Sequence, residues 1–233
     1  MIGVNQNLSV MYRSDHLSIE GSFEKKMTKI RKDFESIFYR RGQVIFNEGN
    51  IPRGLFYVES GKVKVAKYGS DGKEQIISIA KPGDFIGYKS LLTNTHYNVS
   101  ASILEDATLT FIPKDDFSKL FRIDTDVADR FTKMLCDDLI ALEEKMVSMA
   151  YTPVRGRLAK ALLELDKVYK EEKRNTSFIN LSRMDLANIV GTAKETVIRL
   201  LTEFKTDKLI RTEGKLITIL DAQGLLRINQ LYR

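Results

Sequence analysis

Glu195 and Arg199 stand four residues apart in the stretch AKETVIRLL, a spacing that places both on one face of an α-helix. Arginine can pair bidentately with O6 and N7 of guanine, and glutamate can accept from the exocyclic amine of cytosine. The pair is therefore suited to reading base edges in a DNA major groove. The same spacing also suits an intrahelical Glu195–Arg199 ion pair, and the two uses are compatible. Beside them Ala193, Lys194 and Thr196, together with Arg183 upstream, are candidates for contacts to the DNA backbone, which set register rather than read sequence.

Such a helix has to be held by others. Ser182 followed by Asp185 predicts a helix start, with a hydroxyl for an orphan N–H and a carboxylate at the positive end. The helix runs to about Val190, where Gly191 supplies the positive φ of a sharp turn. Ala187 is small enough to let the next helix approach, and Leu186, Val190, Val197, Leu200 and Leu201 are spaced to pack between the two. These spacings predict a helix-turn-helix whose second helix presents its N-terminal half to the groove. LIRTEGKLITIL then reads as a hairpin, a wing with Arg211 and Lys215 available to the phosphate backbone.

Charge is distributed to match. Residues 151–233 hold 16 Lys and Arg against 10 Asp and Glu, a net of +6, which leaves 21 against 21 in residues 1–150. A basic C-terminal third fits a nucleic-acid-binding module, because phosphate neutralisation supplies most sequence-independent affinity. The lone cysteine, Cys136, excludes an intramolecular disulfide and an iron–sulfur cluster and reads as a small hydrophobe packed on its helix. With two histidines and no nucleophile–base or metal-ligand spacing, the sequence predicts no enzyme and no metal site. The N-terminus reads as lacking a secretion signal, so a cytoplasmic protein is expected.

Eight of the fourteen glycines lie between Arg41 and Leu91, punctuating short runs of β-branched and aromatic residues. This is an all-β pattern of the sandwich or roll kind. In KVKVAK, Lys62, Lys64 and Lys67 alternate with Val63, Val65 and Ala66 as a half-buried strand, and GSDGK reads as its hairpin turn. ATLTFI is a further strand, leading into Pro113, where a helix can begin. After Asp126 the period changes, and Phe131, Leu135, Leu139, Leu142, Met146 and Met149 mark one long helix. Its stripe is expected to be covered by the same helix of a second subunit, by its own β domain, or by both. A second helix follows Pro153, and EEKRNTS reads as an exposed loop or a turn between strands.

In this order the motifs RRGQVIFNEGN, GLFYVESGKVKV, GKEQIISIAKPGDFIG, RGRLAKALLEL and GTAKETVIRLL make the chain resemble the cyclic-AMP receptor protein and fumarate–nitrate regulator (CRP/FNR) family of bacterial transcription factors, from about Phe34 to the end. The resemblance implies an α+β chain of two domains: an N-terminal extension (1–33), a cyclic-nucleotide-binding-like β-roll, a double-stranded β-helix or jelly roll (34–125), a dimerisation helix (126–150), and a winged helix-turn-helix (151–233). It also implies a homodimer, a near-palindromic operator, base reading by Glu195 and Arg199, and RNA polymerase as partner for an activator. Nucleotide-binding members carry a glycine followed by glutamate, and later an arginine with Ser or Thr. Here the first part reads Gly87, Tyr88, Lys89 and the later part Tyr97, Asn98, Val99, Ser100. Without the charge-assisted partners of a buried phosphate, cyclic AMP is not expected to bind in the usual way. Lys89 either stands in as a point charge or reaches solvent. Haem would need an axial ligand, and His96 is expected on an exposed loop; no cofactor is predicted and the effector is left open. The competing reading, a small-molecule sensor module acting through protein partners, predicts DNA affinity with little salt dependence.

Overall fold

The computed structural model describes residues 33–170 and 178–231. The expected N-terminal extension and the EEKRNTS loop lie outside the described residues. The chain divides between Leu139 and Ile140 into two compact units, within the long helix.

The first unit is built on β1 (Ser36–Tyr39), β2 (Val44–Phe46), β3 (Gly54–Tyr68), β4 (Glu74–Ala80), β5 (Phe85–Ile86) and β6 (Ser100–Pro113), all paired antiparallel in one sheet ordered β1-β6-β3-β4, with β2 on β6 and β5 on β3. Two long strands, β3 and β6, form its spine, and their register shifts at three places. Such bulges bend and twist paired strands, which lets this sheet roll on itself. A further shift between Val65 and Ala66 against β4 explains why the alternation in KVKVAK loses phase, with Lys67 following Ala66 on the wet side. The roll is filled by Val58, Val63, Ala101, Ile103 and Leu109.

Three helices close the open end: α1 (Tyr88–Thr93), α2 (Lys114–Ile123), which starts directly after Pro113, and the first half of α3 (Thr125–Tyr151). Here the expected dimer stripe needs correction. Phe131 is 1% exposed and sits among the rings of Phe85, Tyr88 and Phe117, while Leu135 is half-buried against the same cluster. The β domain's own core takes these two positions, because Phe131 and Leu135 pack in the same cluster as the aromatic residues of α1, α2 and β5. From Leu139 onward the stripe is open: Leu139, Ile140, Leu142, Met146, Val147 and Met149 are all exposed. The expected boundary at 125/126 therefore falls inside a packed unit.

The second unit continues with the rest of α3, α4 (Val154–Tyr169), β7 (Ile179–Asn180), α5 (Arg183–Val190), α6 (Lys194–Thr206), β8 (Ile210–Glu213), β9 (Leu216–Ile219) and α7 (Ala222–Gln230). The wing hairpin β8–β9 gains a third strand, β7, on the β9 side. Helix α7, started by Asp221 accepting from the Gly224 N–H at 2.8 Å, was not expected from the sequence.

Glu164 of α4 is 2% exposed, and its carboxylate lies 3.9 Å from the Lys160 ammonium with no hydrogen-bond donor among the described residues. Burial pushes its pKa from 4.5 up to about 7 against the pull of Lys160 and Lys167, and pushes nearby Lys145 down to about 8. A carboxyl with a raised folded-state pKa carries no ionisation penalty while protonated, and that penalty grows as pH rises from about 4.5 through about 7. Glu164→Gln is expected to raise the Tm more at pH 8 than at pH 5. Equal shifts in thermal melts at the two pH values would refute that ionisation.

Candidate nucleic-acid interface

The turn between α5 and α6 is made as its residues require. Ser182 Oγ accepts the Asp185 N–H at 2.9 Å and donates to Asp185 Oδ2 at 2.5 Å, closing the start of α5. Gly191 takes φ 72° and returns its N–H to the Ala187 carbonyl at 2.8 Å, where the Thr192 N–H also points. Ala187 is buried, as is the row Leu186, Ile189 and Val190 that meets Val197, Leu200, Leu201 and Phe204 of α6.

With that stripe buried, α6 presents Lys194, Glu195, Ile198, Arg199 and Thr202 to solvent, and Thr196 is half-buried. Ala193, its N-cap, is exposed. Arg199 is 65% exposed and pairs with Glu203 at 2.5 Å, one turn onward, in place of the expected Glu195–Arg199 pair. Glu203 is already fixed by Arg155, also at 2.5 Å, so it offers Arg199 a prepositioned carboxylate. Glu195 and Arg199 nonetheless share the outward face.

One side chain expected at the DNA backbone is engaged within the protein. Arg183 donates to the wing carbonyls of Gly214 at 2.9 Å and Lys215 at 3.4 Å, and partial burial lowers its pKa. It ties the first helix of the motif to the wing tip. Arg211 lies near Glu213 at 3.4 Å, and both Arg211 and Lys215 are exposed.

Sequence reading missed the two arginines of VRGRLA. Arg157 donates from Nε to the Val190 carbonyl at 3.1 Å and from Nη2 to that of Gly191 at 3.2 Å, satisfying the end of α5. Its Nη1 reaches the carbonyls of Thr152 at 3.0 Å and Met149 at 3.4 Å, at the end of α3. Arg155 forks onto Glu203 and Asp207 and lies 5.0 Å over the Phe204 ring, pinning the back of α6. Their partners are backbone groups and side chains more than thirty residues away or across a turn, which no local spacing announces; only the clustering of two cations around a buried glycine, Gly156, could have drawn attention.

In the first unit, the residues of the degenerate pocket are engaged with the protein itself. Gly87 has φ 86°, and a Cβ there would lie 3.0 Å from the Tyr97 ring. Tyr97 stacks on Phe46 with centroids 3.8 Å apart and donates to the Gly54 carbonyl at 2.7 Å, and burial pushes its pKa up to about 12. Tyr88 donates to Asp138 of α3 at 2.6 Å, and Lys89 pairs with the same carboxylate at 2.8 Å rather than reaching free into solvent. Burial, reinforced by Asp138, raises the Tyr88 pKa. The Asn98 carbonyl accepts from Lys67, Ser100 Oγ accepts the Glu48 N–H, and Val99 is packed against the roll. His96 is exposed, as expected. Cys136 is exposed too, against the expectation of a packed hydrophobe, because Phe131 and Met134 take the inward positions of that turn.

A β-roll and a winged helix-turn-helix on one chain define a DNA-binding transcription regulator. The cyclic nucleotide-binding domain model matches residues 36–124, and the Crp-like helix-turn-helix domain model matches residues 156–228; with both in this order, the chain belongs to the CRP/FNR family. It is 25% identical over 210 residues to a CRP-like cAMP-activated global transcriptional regulator of Mycobacterium tuberculosis, covering 89% of this chain and 94% of that one. It is 27% identical to the cyclic AMP receptor protein of Thermus thermophilus, covering 84% and 88%. The structure of FixK2 from Bradyrhizobium japonicum superposes with a TM-score of 0.75 at 25% identity, covering 84% and 97%. Among the described residues no helix is long and apolar enough to cross a membrane.

Proposed function

We propose that the chain acts as a homodimer that reads a near-palindromic operator, with Glu195 and Arg199 on base edges and Lys194, Thr196 and the Ala193 backbone on phosphates. Arg211 and Lys215 extend the phosphate contact along the wing, and Arg183 acts there chiefly by holding the wing tip. The observation that carries this reading is the outward face of α6: a guanidinium and a carboxylate, both exposed, at the N-terminal half of a helix whose other face is buried. The open stripe of α3 beyond Leu139 supports pairing with a second copy. Two recognition helices related by a two-fold axis then meet half-sites about 34 Å apart.

Two of the relatives are named for cyclic AMP, but this chain is proposed not to take it in the usual way. Tyr88 follows Gly87 where the family pattern has a glutamate, the later stretch Tyr97, Asn98, Val99, Ser100 holds no arginine, and the Tyr97 ring lies against Gly87. The test is selection of bound sequences from random DNA at fixed salt, with and without cyclic AMP. One palindromic consensus is expected, with affinity unchanged by the nucleotide and falling steeply with salt. A consensus that emerges only with cyclic AMP overturns the effector reading, and weak salt dependence with no preferred site overturns the regulator reading.

A further inference from the structure

The face of α6 opposite its buried stripe carries an apolar residue among its polar ones. At 3.6 residues per turn, Glu195, Ile198, Arg199 and Thr202 fall in one sector of roughly 100°, facing away from Val197, Leu200, Leu201 and Phe204. Ile198 stands at one edge of this sector, about 60° around the helix from Glu195 on the side away from Arg199, and is 44% exposed. The Thr202 hydroxyl donates to the Ile198 carbonyl at 3.0 Å, so its proton is used inside the helix. Arg199 leans toward Glu203, one turn C-terminal. A branched hydrocarbon held in water among charges gains by being covered, and the charged residues around it, Lys194, Glu195, Arg199 and Lys205, make a poor seat for an apolar protein surface. They suit the major groove, where each thymine displays a C5-methyl group beside hydrogen-bonding edges.

We propose that Ile198 is a specificity-determining residue whose side chain packs on the C5-methyl of a thymine next to the base pairs met by Glu195 and Arg199, so that each half-site carries an A·T pair there. The inference rests on α6 being the recognition helix, and it adds a contact that neither the charged pair nor the phosphate contacts provide. The methyl contact accounts for selection at a position where no hydrogen bond is offered. Ile198 is not part of the buried stripe, so its replacement leaves the packing of α5 on α6 in place.

The test uses the full chain and the operator obtained by selection. Each thymine of a half-site is replaced in turn by deoxyuridine, which keeps the Watson–Crick edge and lacks the methyl, in both half-sites together. The wild-type protein is expected to lose about fourfold per half-site at one such position, the worth of one buried methyl. Ile198→Ser is expected to bind thymine and deoxyuridine duplexes there equally, while Arg199→Ala still distinguishes them. Retained salt-dependent binding to random duplex shows that each variant is folded. Wild-type indifference to every deoxyuridine substitution, or undiminished discrimination by Ile198→Ser, overturns the methyl contact and leaves the charged pair standing. Failure to select any operator overturns the recognition helix itself, and this proposal with it.

Discussion

Replacing Leu142 and Met146 together by aspartate is expected to convert the protein to a monomer and to lower its affinity for the selected operator by about a hundredfold or more. The two side chains are 55% and 67% exposed in the single chain, so charges there meet water in the monomer and the fold is kept. In a helix pair the same positions become a seam, where unpaired carboxylates are costly. Operator affinity then collapses because the second half-site is no longer bound intramolecularly, and linkage of two sites is worth about 10² to 10⁴. Sedimentation and binding titrations check both halves of the statement. A double variant that still sediments as a dimer would place the subunit interface elsewhere. Phe131 is no substitute target: it is locked into its own β domain, and its truncation would report core stability.

Arg199→Ala has the next largest expected effect, a loss of about 1 to 3 kcal/mol per half-site together with relaxed preference at one base pair. Little of this arises from the fold. The Arg199–Glu203 pair is an exposed contact of small worth, and Glu203 stays held by Arg155 once Arg199 is gone. On the proposed reading Arg199 leaves Glu203 to meet a base, and part of its gain then offsets that lost pair. Lys194→Ala, by contrast, is expected to weaken all duplexes evenly and to flatten the salt dependence by about one phosphate contact. Titrations of specific and random duplex at fixed salt separate the two. An unchanged specific-to-random ratio for Arg199→Ala would remove it from the base-reading face.

Local chemistry was readable in the sequence wherever one residue type is demanded by one backbone state. Ser182, Ala187 and Gly191 announced the helix-turn-helix, Pro113 the start of α2, and GSDGK the hairpin between β3 and β4. The length of α3 followed from its period, but not what covers it, because an apolar stripe is the same signal whether a β domain or a second helix meets it. Phe131 and Leu142 differ only in what the rest of the fold brings to them. Ile198 was assigned to neither face: its type suits a core, and its phase on α6 turns it outward. Arg155 and Arg157 looked like generic basic charge, and Arg183 like a phosphate contact. Their roles are set by carbonyls and carboxylates that tertiary structure delivers.

Arg157 grips the last carbonyls of α3 with one nitrogen and those of α5 with two others. The bend at Thr152 and Pro153 is thereby riveted, and it does not act as a free joint. One planar, five-donor group thereby ties the tail of the long rod to the turn that leads into α6.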